Sequence, residues 1–115
     1  MPGPRSSRTP AALAGSASVF AALGDETRLR LVARLCDAGP LSIAKLTTGF
    51  AMTRQAITKH LRVMEHAGLV RSTRHGRESN WRLQQRRLVE ARRYLQLISQ
   101  EWDDRLGRLK AFVER

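Results

Sequence analysis

The chain has 115 residues, enough for one domain around a single core and too few for several. Its apolar content of 42% excludes wholesale disorder, and aromatics at 5% argue against a surface that grips single strands by stacking bases on rings. Lys and Arg number 21 against 10 Asp and Glu, a formal charge of +11; self-repulsion of that size destabilises a compact chain and points to a polyanionic partner.

Residues 1–15 (MPGPRSSRTPAALAG) hold three of the four prolines, with Arg5 and Arg8, and read as a flexible basic arm ahead of a domain over 16–115. From Ser16 the pattern turns helical: Ser16 or Ser18 can cap a short helix holding Val19, Phe20 and Leu23, which ends at Gly24. Asp25 caps the next helix, in which Leu29, Val32, Ala33, Leu35 and Cys36 recur at helical spacing, with Arg28, Arg30 and Arg34 outside. Cys36, the only cysteine, excludes an intramolecular disulfide and reads as a small buried hydrophobe. Gly39-Pro40 stops this helix, and a third starts near Ser42 with Ile43 and Leu46 before loosening at Thr47-Thr48-Gly49.

The most informative stretch is Met52 to Val70. Thr53 caps a helix whose Ile57, Leu61 and Met64 share one side, while Arg54, Gln55, Thr58, Lys59 and Arg62 share the other; Gly68 ends it. One face is anchored, and the other offers donors that suit base edges and phosphates. His60, next to Lys59, reads as a phosphate neighbour or a helix-surface residue.

Two runs, 69–74 and 78–83, flank His75-Gly76-Arg77 with hairpin spacing, and Gly76 can take the positive φ of a tight turn. Arg74, His75, Gly76 and Arg77 make a cationic tip, with Arg71 and Arg82 on its strands. From about Gln85 to Arg115 runs one long helix. Its apolar seam, Leu88, Ala91, Leu95, Ile98, Trp102, Leu106, Leu109 and Val113, is longer than a small domain can cover. Part of it is expected to pack on the first helix and the rest on a second copy.

Helices followed by a small hairpin give a mostly α fold, a winged helix-turn-helix with a long C-terminal dimerisation helix. In that geometry the helix opened by Thr53 enters the major groove with Thr53, Arg54, Gln55, Thr58 and Lys59 leading. A two-fold dimer then matches a palindromic site in double-stranded DNA. The expected function is a sequence-specific transcriptional regulator, a repressor. The alternative is a basic architectural DNA- or RNA-binding winged helix without an operator. A third reading is an interaction protein acting through its last helix.

No carboxylate pair, nucleophile–base pair or phosphate-cradling glycine loop is present, so the chain reads as a non-enzyme. His60, His66 and His75 lack the spacing of a zinc site, and neither metal nor cofactor is expected. Apolar runs are too short to span a bilayer and no secretory segment stands at the start; no membrane partner is expected, and the location is read as cytoplasmic.

Two stretches, ALGDETRLRLVARLCDAGPLSIAKL and MTRQAITKHLRVMEHAGLVRSTRHGRESNWRL, together resemble the ArsR-type winged-helix repressors over roughly residues 17–115. The tail YLQLISQEWDDRLGRLKAFVER further resembles a subgroup that does not sense metals. The resemblance implies a homodimer joined by the first and last helices, here Val19, Phe20, Leu95, Ile98, Trp102, Leu106, Leu109 and Val113. It implies DNA contacts from Arg54, Gln55, Thr58, Lys59 and Arg62 and from the wing at Arg74–Arg77. Metal-sensing relatives carry Cys-x-Cys before the turn or His and Asp on the last helix. Here the third helix reads LSIAKLTT and the last helix has neither His nor Cys. No effector molecule is identified by the sequence.

Overall fold

A proline opens the first helix instead of breaking it. In α1 (Pro10–Leu23) Pro10 takes the first helical position, where its missing N–H costs nothing, and the alanines that follow favour the helix. The computed structural model describes residues 10–114, apart from the side chains of Pro10, Ala12 and His75. Residues 1–9 of the expected arm lie outside the described residues, while its stretch 10–15 is helical. Ser16 therefore caps nothing: it lies inside α1 and is 3% exposed.

Asp25 caps α2 (Glu26–Ala38) as expected, accepting the backbone N–H of Arg28 at 3.0 Å. That bond is the main reason its carboxyl sits below the ordinary carboxylate range; partial burial opposes it, and the charges of Arg28 and His60 assist. A depressed pKa means that the cap is ionised at neutral pH and is lost as pH falls through the folded-state value.

The buried side of α2 agrees with the expectation at Leu35, with Val32 packed against the core, and departs from it elsewhere. Leu31 and Leu35 enter the core, whereas Leu29 is 51% exposed and Cys36 is on the surface. The helix carries apolar residues on two sides, both at three- and four-residue spacing, so periodicity alone does not choose between them. Arg28 and Arg34 on the shoulders settle the matter. Arg28 donates through Nε to the carbonyl of Ala22 and through Nη2 to that of Ala21, closing the C-terminal end of α1. Arg34 donates to the carbonyls of Leu46 (2.8 Å) and Thr48 at the end of α3 (Ile43–Thr47), and its guanidinium lies 4.8 Å from the centre of the Phe50 ring. Each guanidinium satisfies carbonyls that a helix end leaves without partners.

A short strand, β1 (Leu41–Ser42), precedes α3 and was not visible as an element in the sequence. It pairs with the hairpin formed by β2 (Val70–His75) and β3 (Glu78–Leu83), giving an antiparallel sheet in the order β1-β3-β2. Leu41 faces Trp81, and the hairpin register runs from Val70↔Leu83 to His75↔Glu78. Between α3 and β2 lies α4 (Arg54–His66), and α5 (Gln85–Val113) follows the hairpin. One core joins them: Val19, Leu31, Leu46, Ile57, Leu61, Met64, Leu69, Val70, Trp81 and Ala91. Val19 is wholly inside it, so the expectation that Val19 meets a partner subunit is corrected: its place on α1 faces inward, next to the buried Ser16 and Ala22.

Two changes test these joints. Gly68 has φ +78, and a Cβ there would stand 2.8 Å from Arg87 Cγ. Gly68→Ala is expected to destabilise by about 1–2 kcal/mol in denaturant unfolding. Arg28→Ala strips two carbonyls and one imidazole of their donor, and should cost about 1–3 kcal/mol in the same measurement.

Candidate nucleic-acid interface

Rotation of α4 about its axis is set by what it buries. Ile57, Leu61 and Met64 are fully enclosed in the core, which directs positions 54, 55, 58, 59 and 62 away from it. Thr53 caps the helix, its Oγ1 accepting from the N–H of Ala56 at 3.1 Å, so the leading end starts at Arg54. Arg54, Gln55 and Lys59 are exposed and make no side-chain hydrogen bond or ion pair within the described structure. The hydroxyl of Thr58 donates back to the carbonyl of Arg54 at 2.8 Å; its methyl remains for apolar contact.

Arg62 is exposed but tied. It pairs with Glu65 at 2.8 Å, and its guanidinium lies 5.3 Å from the centre of the buried Trp81 ring. This places its charge toward the sheet, at the rear of the helix and away from the leading residues.

His60 departs from the sequence expectation. Its side chain is 21% exposed, with Nδ1 3.3 Å from Arg28 Nη1 and 3.8 Å from Asp25 Oδ2. Position 60 belongs to the inner set 57, 60, 61, 64, not to the outer set 55, 58, 59, 62, and that signal was present in the spacing. His60 thus joins the recognition helix to α2, and through Arg28 to the end of α1. Among the described residues no three of His, Cys, Asp and Glu gather to form a metal site.

At the wing tip Gly76 has φ +62, and Arg74 donates through Nε to its carbonyl at 3.2 Å, which steadies the turn. Arg77 is exposed beside it. The side chain of His75 lies outside those described. Arg71 and Arg82 stand directly opposite each other across the hairpin, both exposed. Like charges in that relation destabilise a sheet unless an anion is near.

Sequence reasoning missed Lys45, a further exposed cation on α3, the helix that packs on α4. It also treated Arg28, Arg30 and Arg34 alike as outward charges. Arg28 and Arg34 serve the fold, and Arg30 lies 4.3 Å over the Phe50 ring. The seam of α5 is bare beyond Ala91: Trp102 is 62% exposed and Val113 71%, with Leu95, Ile98, Leu106 and Leu109 also exposed. Phe20 on α1 packs beside the start of this seam, its ring 6.3 Å from that of Tyr94.

Comparison with known proteins agrees with this geometry. A model of the helix-turn-helix domain matches residues 23–73. The chain is 42% identical over 66 residues to the HTH-type transcriptional regulator YuzN of Bacillus subtilis, covering 52% of this chain and 72% of that one. A solved ArsR-like transcriptional regulator from Rhodococcus sp. RHA1 is 41% identical and has a TM-score of 0.78, over 89% of this chain and 95% of that chain. A homodimeric winged helix-turn-helix DNA-binding domain from Mycobacterium bovis, described as a possible ArsR-family regulator, is 25% identical with a TM-score of 0.64, over 88% and 92% of the two chains. With a capped recognition helix, a basic wing and these relatives, the chain belongs to the ArsR family of winged helix-turn-helix transcriptional regulators.

Proposed function

We propose that the chain works as a homodimer that reads a palindromic operator in double-stranded DNA and represses transcription by occupying it. The observation that carries this is the outward row of Arg54, Gln55 and Lys59, without side-chain partners, and of the Thr58 methyl, on a helix whose other face is locked in the core. Arg can bond guanine bidentately, Gln can do so with adenine, and a Thr methyl suits thymine. Thr53 brings the first turn of the helix to the groove floor, Arg62 reaches phosphate from the rear, and Arg74, Gly76 and Arg77, with His75 between them in the chain, take the adjacent backbone or minor groove. His60 and Val19 fall out of these sets because the protein's own core and α2 occupy them.

Self-association is supported by the bare seam of Leu95, Ile98, Trp102, Leu106, Leu109 and Val113, an apolar stripe that costs free energy in water, and by the homodimeric relative. Phe20 flanks its inner end. Reading a palindrome requires that the two-fold pairing along α5 set the two recognition helices about one turn of duplex apart. The role is binding and not catalysis. A cytoplasmic location accords with it, and no helix among the described residues is long and apolar enough to cross a membrane.

Selection of bound sequences from a random duplex pool should return a two-fold symmetric motif, and footprinting should show one discrete protected site. Protection without a preferred sequence would make the protein an architectural binder. Gln55→Ala is expected to cost about 1–3 kcal/mol at particular base pairs, whereas Arg77→Ala should weaken all duplexes alike and lower the salt slope by about 1. Trp102→Glu should sediment as a monomer and lose operator affinity; a variant that stays dimeric would place the interface elsewhere.

A further inference from the structure

A cleft of about 370 Å³ lies where three elements meet at the end of α4 away from its leading residues. The end of α4 contributes Glu65 and the turn after it Gly68, β2 contributes Val70 and Arg71, and Gln84 precedes Arg86 and Arg87 at the start of α5. Its volume is that of a small-molecule site. Beneath it lie the buried Val70 and Gly68, and the methylene stem of Arg87 passes over the glycine.

Positive charge around the cleft exceeds what the chain neutralises. Glu65 is taken by Arg62, and Glu90 is shared by Arg86 at 3.6 Å and Arg87 at 3.4 Å. Arg71 has no carboxylate partner among the described residues and faces Arg82 across the hairpin. Five arginines thus stand against two glutamates. Arg87 is also held in place: its stem crosses Gly68 and its guanidinium lies against Gly15, where a Cβ at either glycine would collide with it. A cation seated in a slot between two glycines loses little further freedom when it binds an anion.

We propose that this cleft binds a small organic anion, a carboxylate or phosphate on a compact apolar body. Its charged group meets the guanidinium groups of Arg71, Arg86 and Arg87, and its body rests on the methylene stems of these arginines above Val70. The site adjoins the Gly68–Val70 joint between recognition helix and wing, where the N–H of Leu69 donates to the carbonyl of Met64 and the N–H of Gln84 donates to that of Leu69 at 2.7 Å. Drawing Arg71 toward α5 pulls on the base of the wing, so occupancy alters how wing and α4 face the duplex. This last step rests on the DNA-binding reading above.

Titration of the full chain with benzoate, followed by amide shifts at fixed ionic strength with chloride as the compensating salt, tests the site. Saturable shifts at Gly68, Val70, Arg71 and Gln84 are expected. The Arg71→Gln/Arg86→Gln double variant should weaken them at least about tenfold, with core and hairpin amides elsewhere unmoved. Shifts that rise linearly, that chloride alone reproduces, or that survive the double variant would overturn the proposal; so would saturation by inorganic phosphate but not benzoate. Benzoate at saturation should also lower affinity for the selected duplex several-fold in the parent chain, and unchanged affinity would remove the regulatory role. The amide readout needs no duplex, so a silent cleft leaves the operator reading intact, and failed duplex selection leaves the cleft result standing.

Discussion

Everything this protein offers to DNA depends on three apolar side chains. Ile57, Leu61 and Met64 are fully enclosed, and enclosing them sets the rotation of α4. Burying a side chain of this size stabilises by roughly 1.5–3 kcal/mol, so turning the helix to hide its arginine row would forfeit several such terms at once. The outward donors are therefore held in place by hydrophobic packing, with no need for a bond of their own. That leaves Arg54, Gln55 and Lys59 free of internal partners, and their hydrogen-bonding capacity is unspent.

The charge of the chain divides into two kinds. Arg28 and Arg34 are half-buried and committed to carbonyls at the ends of α1 and α3, where a guanidinium does the work that a C-terminal glycine cap does elsewhere. The arginines of the recognition helix, the hairpin and the start of α5 remain at the surface. Counting both kinds together overstates the cation available to an anionic partner and understates how much of the fold arginine holds up. Arg28 is the most connected of them. It touches the end of α1, the cap residue of its own helix and, through His60, the recognition helix, so α1, which flanks the proposed dimer seam, and the helix proposed for reading DNA are two side chains apart.

Much of the architecture was legible in residue order. Asp25, Ser42 and Thr53 each begin a helix with their side-chain oxygen on a backbone N–H, as their types and positions indicated. Gly76 sits at the hairpin turn, and α5 runs uninterrupted from Gln85. What escaped was decided by tertiary contact. Two residues make β1 only because β3 lies beside them; a strand that short has no period. The inner side of α2 was ambiguous because leucines occupy both sides, and arginines reaching other helices settled the choice. Pro10 was counted with the flexible arm, though at the first position of a helix proline is a starter. His60 was misplaced by attention to its neighbour Lys59 and not to its distance from Ile57 and Met64.

The little strand β1 has an effect that goes beyond adding two rungs. By pairing with Asn80 and Trp81 of β3 it leaves β2 as the longest open edge of the sheet among the described residues, and that edge carries Arg71 and Arg74. An exposed strand invites a neighbouring chain to continue the ladder, and charge along it is the ordinary deterrent. The wing can thus jut into solvent on every copy of the protein without seeding fibrils, because any incoming strand would have to bury arginines against its own backbone.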